Sequence, residues 1–276
     1  MNSDDYRAYV GGTSGLIYGY VNDGFYTVAD FESFDSKSRT WKLKEGVVDS
    51  SPLSDTPRPG NAKFKKLTPV DPNSTNPYQL TEADRTVIGN TTPKFSGGFG
   101  LNATYKGFDM SMFFNFMYDF DVLNANKIML TTWADNKENN FLMDIASDKR
   151  WRNFDDMGNE IRYSPEVLAE FNKNATMWNP TSIGRPICMS YAVEDGSFLR
   201  LNSATLGYTL PSVWTKKVGL SKVRFYVSGN NLFTLTGYSG YDPEVSTAGS
   251  NPMTPGLDWG AYPKSKVFTF GLDIQF

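Results

Sequence analysis

The 276-residue sequence has no histidine and a single cysteine, Cys188. Without histidine, Ser-His-Asp and Cys-His nucleophiles and the usual zinc sites are excluded. With one cysteine, neither an internal disulfide nor a cysteine metal cluster can form. No run of about 18 apolar residues occurs, which excludes a transmembrane helix. Charge of either sign is scarce in excess: 27 Lys and Arg face 30 Asp and Glu, a net −3 with no basic stripe, so nucleic acid is a poor candidate partner. The polar start MNSDDYRAYV has neither a basic n-region nor an apolar h-region, so no export signal is read there. A membrane β-barrel passes all of these tests, because its signal lies in alternation and not in hydropathy. On that reading the missing export signal implies that the chain is the later part of a longer protein.

What is present is an alternating aromatic pattern. Residues 266–276, KVFTFGLDIQF, put Phe268, Phe270, Leu272, Ile274 and Phe276 on one strand face and Val267, Thr269, Gly271, Asp273 and Gln275 on the other. Tilted by about 45°, such a strand spans roughly 25 Å, the height of the apolar band on a membrane barrel. Taken alone, the stretch suits a core-facing strand of a soluble sandwich equally well.

The same alternation recurs upstream. Segments 94–105 and 108–119 flank Lys106-Gly107 and form the clearest hairpin, and 197–210 and 222–233 read as further strands. The aromatic and β-branched segment 14–28 reads as one strand or a kinked pair. Residues 30–92 and 120–196 are polar and irregular and read as long loops, with one helix signal at Ser164-Pro165-Glu166. Loops are long after strands ending near 28, 119 and 233 and short after those ending near 105 and 210, the asymmetry of a barrel crossing a membrane.

The run EDGSFLRLNSATLGYTLPSVWTKKVGLSKVRFYVSGNNLFTLTGYSGYDPEVS at 194–246 closely resembles the C-terminal signature of SusC/RagA-type TonB-linked outer-membrane proteins, as does 251–276. The stretches GLIYGYVNDGFY at 15–26 and 84–127 are similar to the same family in the same order. The resemblance implies an all-β fold, a portion of an antiparallel transmembrane β-barrel with long extracellular loops and a short helix or two. It implies about seven strands, too few to close a barrel of about 22, with the N-terminal plug and earlier strands absent. It also implies an outer-membrane location with the C-terminus periplasmic, and TonB-driven import of an oligosaccharide or peptide. The partners so implied are membrane lipid, TonB and a SusD-like surface lipoprotein, with no cofactor and no covalent chemistry. The chain departs from the family at an acidic, cation-holding turn, where it has Asn61 followed by Lys65 and Lys66, so no metal site is carried over. The rival reading is a soluble secreted β-sandwich that binds glycans.

Candidate chemistry is thin. Asp155, Asp156 and Glu160 could hold a cation, and Asp242 with Glu244 could act as a glycosidase pair, but a solvated loop and a turn at Pro243 suit them better. Trp133, Trp151, Trp178, Tyr238, Tyr241 and Trp259 fall in or beside the long loops, where an exposed ring offers an apolar face to a sugar or peptide. Tyr18, Tyr20, Tyr105, Tyr118 and Phe276 sit near strand ends and read as interfacial girdles. The terminal face Phe268, Phe270, Leu272, Ile274 and Phe276 resembles the signal by which the outer-membrane assembly machinery recognises its clients.

Overall fold

The computed structural model describes residues 3–132, 140–146, 148–183, 185–247, 251 and 253–276. Its largest sheet contains five antiparallel strands: β1 (Phe95–Tyr105), β2 (Phe108–Tyr118), β3 (Phe198–Thr209), β4 (Lys222–Thr236) and β5 (Val267–Gln275). Their spatial order is β5-β4-β3-β2-β1. The β1–β2 turn places both Lys106 (φ 46°) and Gly107 (φ 88°) in the left-handed region, as a two-residue type I′ hairpin requires. Gly107 is needed twice over, since a Cβ there would also lie 2.8 Å from the Thr209 carbonyl oxygen.

The register lines up like residues across all five strands in the middle of the sheet. One row runs Ala103, Met110, Leu206, Val227, Phe270, and an adjacent row on the opposite face runs Asn102, Ser111, Thr205, Ser228, Thr269. A register shift falls between Leu201 and Ser203, with Asn231 at φ 52° on the neighbouring strand. Such irregularities increase local twist. The apolar face continues past it, with the Phe114 and Phe233 rings 6.5 Å apart.

Neither face of this sheet is covered along its length. Every residue of β1 is exposed, and Phe270 on β5 is 81% exposed. The short connections 106–107 and 210–221 lie at one end with the C-terminus, where the Thr209 amide donates to Gly107 and the Ser221 amide to Gln275. The connections 119–197 and 237–266 lie at the other end.

The hydrophobic core sits in the segments that precede β1 and in those between the long strands. Ile17, Leu80, Leu123, Ile128, Trp178 and Met189 belong to one buried cluster. Around it run small sheets: Tyr6–Arg7 with Leu16–Gly19 and Thr86–Asn90, and Val193–Asp195 with Asp121–Asn124 and Leu257–Asp258. Asn22–Phe25 pairs with Ala62–Phe64, and Phe31–Asp35 with Thr40–Leu43. The helix Pro165–Phe171 begins at Ser164 and Pro165 as its sequence predicts, and it buries Leu168.

Two expectations need correction. Segment 14–28 is the kinked pair Leu16–Gly19 and Asn22–Phe25, and it joins two small sheets and not the large one, which holds five strands among the described residues. Gly24, inside the second strand, sits at φ 77° with its amide bonded to the Asn22 side chain, and a Cβ at Gly19 would meet the carbonyl oxygen of the distant Cys188 at 2.4 Å. Tyr18 and Tyr20 therefore belong to the loop layer and not to a girdle. Tyr18 lies beneath the Arg7 guanidinium at 4.4 Å, and Tyr20 is buried edge-on to Phe64.

Candidate functional site

The polar face of the sheet carries an ion-pair bridge near its short-turn end. Arg224 on β4 donates from Nη2 to Asp109 Oδ2 on β2 (2.6 Å) and from Nη1 to Asp273 Oδ2 on β5 (3.2 Å). The first of these crosses β3 above Gly207, where a Cβ would lie 2.5 Å from Arg224 Nη2. Gly271 makes the same kind of room for the Tyr226 ring.

At the opposite end the polar face is covered by the loop after β4. Arg200, 2% exposed by its side chain, pairs with Asp242 at 2.6 Å and Glu244 at 3.0 Å, and Lys264 pairs with Glu244. The Glu244 amide donates to Asp242 Oδ1 (2.9 Å), closing the turn at Pro243. Both carboxylates thus hold the loop onto the sheet. Asp155 accepts from the Met157 and Asn159 amides while Asp156 pairs with Arg152, and among the described residues no acidic, cysteine or histidine group is arranged to hold a metal ion.

The loop aromatics separate into buried and exposed sets. Trp151 and Trp178 are each 2% exposed. The Trp151 ring packs over Gly60, where a Cβ would meet Cδ1 at 2.2 Å, and Trp178 donates its indole N–H to the Thr131 carbonyl. Tyr238 is buried, and its hydroxyl donates to Asp258 Oδ2 at 2.6 Å. Burial first, then this bond to a carboxylate, pushes its pKa up. By contrast Tyr241 is 79% and Trp259 39% exposed. Trp133 lies outside the described residues. On β5, Phe268, Phe270, Leu272 and Ile274 are exposed on the apolar face, and Phe276 is 94% exposed at its end.

Tyr241 borders a cleft of about 290 Å³ that also reaches Asn126, Lys127 and Asp258. Asp258 Oδ1 accepts from Asn126 Nδ2 and the Gly260 amide. Behind them Glu194 accepts from the Ser239 amide and hydroxyl and from Asn124, and it lies 3.4 Å from Lys127 Nζ. Burial opposes the charge on Glu194, but the Ser239 hydrogen bonds and Lys127 prevail and lower its pKa. Sequence reasoning missed this group, because Asn126 and Asp258 stand 132 residues apart and no short motif joins them.

The site and fold define an all-β protein: an antiparallel sheet with one apolar and one polar face, topped by a folded loop layer. No family model matches the sequence. The chain is 34% identical over 266 residues to TonB-dependent receptor P3 of Formosa agariphila, covering 95% of this chain and 22% of the relative. It is 36% identical over 90 residues to TonB-dependent receptor SusC of Bacteroides thetaiotaomicron, covering 31% of this chain and 8% of that protein. Among solved structures, the RagAB peptide transporter matches with a TM-score of 0.58 at 20% identity, over 96% of this chain and 23% of that chain, which is a likeness of fold. The chain is a homologue of the TonB-dependent receptors, SusC among them, which are outer-membrane proteins. It spans 22% of P3 and 17% of the related receptor P39.

Proposed function

We propose that the chain is the C-terminal part of the barrel and extracellular loops of a TonB-dependent importer. The large sheet is a segment of barrel wall, its apolar face toward lipid and its polar face toward the lumen. An oligosaccharide or peptide passes through that lumen when the plug, carried by the rest of the receptor, rearranges under force from TonB. A SusD-like lipoprotein covers the loop layer, Tyr241 and Trp259 meet the substrate, and the short turns and C-terminus face the periplasm. No step makes or breaks a covalent bond.

The observation that carries this reading is the pair of adjacent rows, Ala103 to Phe270 wholly apolar and Asn102 to Thr269 wholly polar. In water the exposed apolar row would be a large unfavourable patch; in lipid it is the matching surface. A soluble sandwich needs a second sheet over the Phe268, Phe270, Leu272, Ile274 face, and among the described residues the buried clusters lie elsewhere.

The test is assembly and topology in the full-length receptor. Deleting Phe276 should sharply lower its level in the outer membrane while Gln275→Ala, on the lumen face, has little effect. A Ser74→Cys variant should label from outside intact cells, and Lys216→Cys should not. Normal membrane levels without Phe276 would refute the assembly role, and external labelling at Lys216 would refute the topology.

A further inference from the structure

The loop layer contains a second, basic cleft away from Tyr241. Its smaller lobe, about 70 Å³, is lined by Arg39, Trp41, Asp55 and Arg58. Its larger lobe, about 340 Å³, is lined by Trp151, Arg152 and Phe154. Asn153, Arg162, Asn179 and Thr181 border both lobes, which therefore adjoin.

Its polar groups fall into satisfied and unsatisfied sets. Arg162 pairs with Glu160 and Arg152 with Asp156, and Asn179 donates to the Trp151 carbonyl. Arg39 and Arg58 have no carboxylate partner among the described residues, although Asp55 lines the same lobe. The Arg39 guanidinium lies over the Tyr163 ring at 4.7 Å. Trp151, only 2% exposed, has an indole N–H with no hydrogen-bond partner. That N–H lies against Gly60, inside the wall of the cleft and out of reach of its contents.

We propose that this cleft binds an anionic oligosaccharide, with Arg39 and Arg58 receiving its carboxylate or sulfate groups. Planar guanidinium donors match such groups two bonds at a time. Beside them the Trp41 ring, held against Phe31 and Phe34 at 5.3 and 4.8 Å between centroids, offers a rigid apolar face to a sugar ring. An acidic peptide would also satisfy the arginines, and it is the competing outcome of the titration below.

The proposal deepens the import reading by naming a substrate class, and equilibrium binding separates the two. The full-length receptor in detergent is titrated with tetragalacturonate, sulfated maltotetraose, maltotetraose and tetraglutamate. At least one acidic saccharide should bind ten or more times tighter than maltotetraose, weaken as salt rises, and lose about tenfold in affinity in the Arg39→Ala/Arg58→Ala variant. Both arginines are exposed, so the variant should keep the parent's circular dichroism. Equal affinity for maltotetraose, an unchanged variant, or tightest binding of tetraglutamate would each overturn the proposal. Intact binding without uptake would refute import and leave the cleft standing; uptake without binding would refute the cleft alone.

Discussion

The wall and the loop layer of this molecule solve opposite problems. The wall has the longest strands and covers almost nothing with protein, whereas the segments before and between its strands hold Ile17, Phe64, Leu80, Leu123, Ile128 and Trp178 at 2% exposure or less. The difference follows from the solvent that each region is proposed to meet. Lipid cannot hydrogen-bond a peptide group, so every backbone donor there must enter a regular ladder, while apolar side chains need no cover. Water reverses both demands: apolar side chains must pack together, and backbone groups can be satisfied singly by side chains such as Asp84, Glu194 and Asp258.

Asp84 is where this contrast should break most visibly. Its side chain is fully buried, 3.3 Å from Lys66 Nζ, and accepts from the Leu67, Thr68 and Thr81 amides. Asp84→Ala leaves Lys66 and these donors without their partner and should cost about 3 to 5 kcal/mol. Hydrogen exchange on the full-length receptor should show the loss in the loop layer and leave the β1–β5 ladder protected. Equal loss in both regions would mean that they fold as one unit. The same carboxylate has a pH signature: burial alone would raise its pKa, but the hydrogen bonds from Thr68, Thr81 and Leu67 hold it well below the ordinary range. A lowered folded pKa stabilises above the unfolded value, about pH 4, and that contribution is lost as pH falls through the folded one. Acid should therefore loosen the loop layer only below about pH 4, and Asp84→Asn should remove that dependence.

In the wall, the two faces should respond oppositely to one charge. Leu206→Arg, in the middle of the apolar row, should cost about 2 to 4 kcal/mol on folding into vesicles, whereas Thr205→Arg on the polar face should cost far less. Similar costs for the two would invert or abolish the lipid assignment. Gly207→Ala forces a Cβ against Arg224 and should cost about 1 to 3 kcal/mol. In an Arg224→Ala background the part of that cost owed to the guanidinium should vanish while the part owed to Asp109 Oδ1, 2.6 Å from the same Cβ, stays, and a double-mutant cycle separates the two. Tyr241→Ala should be smallest, within about 0.5 kcal/mol in stability, while weakening substrate uptake; unchanged uptake would remove Tyr241 from the lumenal path.

Much of the wall was legible because its signal is local. In KVFTFGLDIQF and in the hairpin around Lys106-Gly107, alternation alone places each residue on a face, and that placement agrees with the register found. Segment 14–28 was legible as one strand or a kinked pair, and it is the pair; its place in the small sheets was not, because the approach of Gly19 to the Cys188 carbonyl is a distant contact that composition does not show. Among the loop aromatics, nothing local distinguishes Trp151 and Trp178 from Tyr241 and Trp259, since exposure depends on which distant segment arrives to cover each ring.

By itself, then, the sequence determined the period-2 faces, the turn at Lys106-Gly107, the helix start at Ser164-Pro165 and the exclusion of histidine and cysteine chemistry, all set by neighbours within a few residues. Tertiary structure alone decided that Lys66 meets Asp84, that Asn126 meets Asp258, that Arg224 reaches Asp109 over Gly207, and that Arg39 and Arg58 share a cleft with Trp151. Those meetings depend on chain closures that no short window encodes: a side chain's charge and size are local properties, but its partner is chosen by the packing of segments brought together from far along the chain.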